Sequence, residues 1–95
     1  FNENLGDKMK LYPNPVSDRL NIRYTLYEDS ELILNIYDMQ GKLVLSRNYL
    51  EAPGNIEIKL DLDALDSGSY IIKIYQAGYP QDGLHSATKK IMKLP

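Results

Sequence analysis

Apolar and polar residues alternate along most of this chain. Leu20, Ile22, Tyr24 and Leu26 alternate with Arg19, Asn21, Arg23 and Thr25. Ile56, Ile58, Leu60 and Leu62 alternate with Glu57, Lys59 and Asp61. Successive side chains of a strand point to opposite faces, so each run predicts a strand with one buried and one wet face. Segments 32–37, 43–46 and 70–75 are richer in apolar residues and predict the more central strands. Thr88 to Leu94 alternates imperfectly and predicts a last strand at a sheet edge. Only Leu62 to Asp66 could hold a helical turn. Strands recurring about every ten residues are spaced as in an antiparallel sandwich, not as in βαβ units.

Three phrases punctuate this pattern. Pro13 and Pro15 forbid a continuing ladder and force extended or turn geometry around Asn14. Asp38-Met39-Gln40-Gly41 fits a type I turn whose last residue goes left-handed, a position glycine takes without penalty. The sequence through Lys42 thus predicts a short hairpin between the third and fourth strands. Leu65-x-x-Gly68-x-Tyr70 matches the corner of Greek-key sandwiches, in which the tyrosine hydroxyl bonds backbone a few residues upstream. Pro53-Gly54-Asn55 is a further turn signal, and 78–83 reads as a longer loop.

With 95 residues the chain has room for one domain and one modest core. Apolar residues make up 43% and charged residues 25%, which excludes a disordered chain. The net charge of −2 comes without any basic stripe interleaved with aromatics, which argues against a nucleic-acid partner. No cysteine is present, so stability comes from packing alone. No apolar run approaches the roughly 20 residues that span a bilayer as a helix. Residues 1–7 are polar, lack the features of a signal peptide and read as a linker. The predicted domain covers 8–95, and the opening Phe1 suggests a piece of a longer protein.

Candidate chemistry is sparse. Glu57, Asp61, Asp63 and Asp66 form the densest acidic group but lack the spacing of a calcium loop, so solvated strand positions and turn caps are the expected role. His85 is the only histidine, and Ser86 is merely its neighbour in a polar loop, too little for a catalytic triad. A carboxylate pair for glycoside hydrolysis would need an enclosing cleft that a sandwich of this size rarely has. No enzyme activity, metal or cofactor is expected. Distinctive residues spent on turns rather than on chemistry point to a module that other proteins recognise.

In their order and spacing, the phrases resemble the C-terminal sorting domain of the type IX secretion system of Bacteroidetes. The resemblance is carried by Tyr12-Pro13-Asn14-Pro15, by Leu20-Asn21-Ile22, and by Ile36 through Val44. It continues in Asp61-Leu62-Asp63-Ala64-Leu65 to Tyr70, with Asp63 where the family commonly has Ser, and in the lysine-bearing end Lys89 to Leu94. It implies an immunoglobulin-like sandwich of about seven strands, fused to the C-terminus of a secreted enzyme or adhesin. By the same resemblance, the domain directs passage of the cargo through the outer-membrane translocon. A sortase at the cell surface then removes it, with the cut before Leu11 and Gly6 a candidate position. Its cargo would cross the periplasm and end at the cell surface or outside the cell. Recognition or folding roles are expected for Tyr12, Pro13, Asn14 and Pro15, for Asp38, Gly41 and Lys42, and for Gly68 and Tyr70. Lys89, Lys90 and Lys93 are expected to offer an exposed terminal charge. The alternative is an immunoglobulin-like or fibronectin-like accessory module, a spacer or a carbohydrate binder, for which Tyr27, Tyr49, Tyr75 and Tyr79 would be the sugar-stacking candidates.

Overall fold

The computed structural model describes residues 9–26, 28–78 and 86–95. The expected linker with Gly6, Tyr27, Tyr79 and His85 lie outside the described residues. Seven strands follow one another: β1 (Met9–Tyr12), β2 (Arg19–Leu26), β3 (Ser30–Asp38), β4 (Leu43–Glu51), β5 (Gly54–Asp61), β6 (Gly68–Gln76) and β7 (Ser86–Lys93). They form two antiparallel sheets, one of order β1-β2-β5 and one of order β4-β3-β6-β7. This is the expected all-β sandwich. The strand β1 is the one that alternation did not single out; it leads directly into the first proline phrase.

The alternating runs bury the faces they promised. On β2, Leu20, Ile22, Tyr24 and Leu26 point inward, opposite Ile58 and Leu60 of β5. On the other sheet, Leu32, Leu34 and Ile36 of β3 meet Tyr70, Ile72 and Ile74 of β6, with Ile91 of β7 beside them. These residues form one cluster, joined by Met9, Val16 and Leu62. Burying apolar area at about 25 cal/mol per Å² is the main force holding the two layers together.

Two expectations are corrected. The segment 43–46 is not central: β4 runs to Glu51, pairs only with β3 and lies at the sheet edge. Its apolar residues cluster because a bulge leaves Val44 without a partner between Tyr37↔Leu43 and Ile36↔Leu45, and both Val44 and Leu45 pack on the core. The second correction concerns the turn predicted at Pro53-Gly54-Asn55. Gly54 and Asn55 already belong to β5, so the chain passes between sheets at Ala52 and Pro53. In place of the helical turn that 62–66 could have held, the described residues show a non-helical turn, closed by Leu65 N donating to Leu62 O at 2.9 Å.

Register fixes which connections share an end of the sandwich. Tyr12 faces Asn21 and Arg19 faces Asp61, so β1 ends, β2 starts and β5 ends together. Asp38 faces Tyr70 and Gly68 faces Lys93, so β3 ends, β6 starts and β7 ends together. The short link 62–67 carries the chain from Asp61 to Gly68, placing these two groups at one pole. Met9, facing Tyr24 near the far end of β2, lies towards the opposite pole.

Candidate recognition pole

All three phrases and the end of the last strand meet at this one pole. The hairpin between β3 and β4 is built by Asp38. Its Oδ1 accepts from Gln40 N and Lys42 N, both at 2.9 Å, while Gly41 N donates to Asp38 O at 3.0 Å. Gly41 takes φ +87°, the left-handed turn position expected for it. Lys42 contributes through its backbone, which also accepts from Asp38 N, and its side chain is exposed.

The corner is equally direct. Tyr70 Oη donates to Asp66 O at 2.7 Å, four residues upstream, and the ring is buried. Burial, reinforced by the charges of Asp66 and Asp38, pushes the Tyr70 phenol above its ordinary value. Gly68 starts β6 with φ +145°, a backbone that side-chain-bearing residues rarely adopt. The acidic residues nearby serve this architecture: Asp61 Oδ1 accepts from Asp63 N at 3.0 Å, and Glu57 accepts a hydrogen bond from Tyr12 Oη across β2.

The proline phrase lies along the outer edge of β7. Both of its X-Pro peptide bonds, Tyr12–Pro13 and Asn14–Pro15, are cis. Asn14 Oδ1 accepts from Met92 N at 3.1 Å, and Asn14 Nδ2 donates to Lys90 O at 3.3 Å. Val16 N donates to Met92 O at 2.8 Å and Val16 O accepts from Leu94 N at 2.7 Å, forming a parallel bridge to Lys93. Sequence reasoning placed the phrase and the tail at two ends of the chain and missed this contact. The only signal was chemical: an amide side chain held between two residues that lack an N–H.

The three terminal lysines do not form one exposed group. Lys90 is exposed on the outer face, whereas Lys89 is half-buried beside Ile72. Lys93 is buried at 5% exposure, and its Nζ donates to Leu94 O at 2.8 Å. An inward strand position, rather than charge, decides its environment, so the expectation of an exposed Lys93 is corrected. The sugar-stacking candidates fare similarly. Tyr49 pairs with Leu32 on the core side of the sheet and Tyr75 with Ile33 on the outer side, so the two share no platform.

The pole also exposes large apolar side chains. Among the described residues, six large hydrophobic side chains are exposed: Tyr12, Met39, Leu43, Leu50, Met92 and Leu94. All except Leu50 sit at the pole of the three phrases. Met39 is 56% exposed and Leu43 48%, both beside the Asp38 hairpin.

A family model described as a secretion system C-terminal sorting domain matches residues 10–93. The chain belongs to this family. It is a type IX sorting-signal domain, and the signal domain itself is non-catalytic. As such it marks a protein exported through the outer membrane. Among solved structures, the sorting domain is similar to part of the "dimeric latent PorU from Porphyromonas gingivalis" crystal structure, with TM-score 0.73 and 25% identity. The likeness covers 90% of this chain and only 9% of that one. No match was found among curated proteins. The fold of the sorting domain is thus the immunoglobulin-like sandwich that the resemblance implied.

Proposed function

We propose that the secretion machinery reads this domain at the pole where the three phrases gather, and that a cargo occupies the other end. The observation carrying this reading is the placement of Tyr12, Met39, Leu43, Met92 and Leu94, which leaves most exposed large apolar side chains of the described residues at that end. Exposed apolar side chains gathered at one end suit an interaction surface, and flexible methionines suit a surface that must fit its partner. The chain enters β1 towards the opposite pole, so a cargo joined upstream leaves the phrases uncovered. In this reading residues 1–7 are the linker and 8–95 the signal. The translocon and a sortase of the outer membrane are the partners, with a cut before Leu11 and Gly6 as its candidate position. The cargo passes the periplasm to reach the cell surface or the medium. Any enzyme activity belongs to that cargo.

Deleting Lys89 to Pro95 is a poor test, because it removes the buried Ile91 along with the surface. Replacing exposed residues separates recognition from folding. A reporter fused upstream of Met39→Glu/Met92→Glu, expressed in a type IX-competent host, should stay in the periplasm while the domain melts as before. Undiminished surface display of that folded variant would overturn the reading.

A further inference from the structure

We propose that the side-chain amide of Asn14 acts as a substitute strand peptide. It fastens the Tyr12–Val16 segment to the outer edge of β7 and makes the first phrase and the last strand one surface. Asn14 is thereby a positioning residue.

The chemistry is specific to this residue type. An edge strand presents alternating N–H and C=O groups, and a neighbouring strand satisfies both kinds through its own backbone. Pro13 and Pro15 lack the N–H that such a neighbour would supply. A carboxamide carries the same donor and acceptor as a peptide unit. Here Asn14 Oδ1 takes Met92 N and Asn14 Nδ2 reaches Lys90 O, two outward groups that are successive on that edge. Val16 takes the next two, Met92 O and Leu94 N, with its backbone. Four hydrogen bonds therefore satisfy the outer edge from Lys90 O to Leu94 N, and that stretch is closed to strand pairing by any other chain. Val16 is itself fully buried, which anchors the far end of the segment.

Only asparagine meets both demands at this reach. Aspartate keeps the acceptor for Met92 N and loses the donor for Lys90 O. Alanine loses both. Glutamine keeps both groups but displaces them by one methylene. A residue that merely filled space would not rank these substitutions by hydrogen-bonding group.

The test is amide hydrogen exchange, resolved by NMR, on the 95-residue chain carrying Asn14→Asp, Asn14→Ala or Asn14→Gln, with Ile72 and Ile74 amides as internal references. In Asn14→Ala, protection of Met92 N–H should fall roughly tenfold relative to those references. In Asn14→Asp that proton should keep most of its protection, since a carboxylate oxygen still accepts it. Asn14→Gln should lose protection, because its amide is misplaced. Equal Met92 protection in wild type and Asn14→Ala, or equal loss in the Asp and Ala variants, would overturn the proposal. A second arm rests on the pole reading: the same variants fused to a reporter should lose surface display in the order of Met92 protection. If exchange follows the predicted order while display is unchanged, the fastening role stands and the pole reading fails.

Discussion

Gly41 and Gly68 sit at φ +87° and +145°, and a Cβ added at either would meet nothing within 4 Å. Any cost of a side chain there is therefore backbone strain and not a clash. Gly41→Val and Gly68→Val should each destabilise the domain by about 1–3 kcal/mol. For a domain of this size each kcal/mol lowers the melting temperature by roughly 4–8 °C. Thermal denaturation followed by circular dichroism measures both. Unchanged melting would show that the backbone relaxes to a conformation open to valine. Gly41 was legible in the sequence, because a turn type dictates the sign of φ locally, whereas Gly68 was legible only as part of the Tyr70 corner. The Asn14 contacts were not legible. They join residues 76 and 78 positions apart through a side chain, and neither alternation nor turn chemistry carries information over that separation.

At the scale of the element, β7 combines opposite environments in adjacent residues. Ile91 is 1% exposed and pairs with Tyr70, whereas Met92 is 42% exposed on the outer face. Ile91→Ala should cost roughly 2–5 kcal/mol through the cavity it leaves. Met92→Ala should change stability by less than about 0.5 kcal/mol. Urea denaturation of the two variants measures the contrast, and similar losses in both would contradict the register of β6 and β7. Strands with one wet face, such as β2 and β5, were readable because their inward set is strictly alternate. The edge character of β4 was hidden, since a bulge turns consecutive Val44 and Leu45 towards the core and mimics a strand buried on both faces. Lys93 misled in the opposite way. Its residue type suggests water, but alternation from Ile91 places it inward, and in this case position prevailed over type.

Considered as a whole molecule, the sandwich holds phenols in both halves of its interior. Burial raises Tyr24, partly offset by Gln76, and burial also raises Tyr70 and Tyr49 above the ordinary 10.0. A folded-state value above the unfolded one means that the native state holds its protons longer. Stability should therefore be unaffected by these groups below pH 10 and fall as pH rises through their folded values. A pH series of urea midpoints, read alongside phenolate absorbance, checks this; rising stability above pH 10 would contradict the sign. The global layout also has a bearing on synthesis. β7 follows every other strand in the chain, yet it supplies Ile91 to the core and the partners of Asn14 and Val16 to the pole. A polypeptide interrupted before this strand cannot assemble the pole, whatever cargo precedes it. On the reading proposed for the pole, a product broken off before β7 would carry no legible label for export.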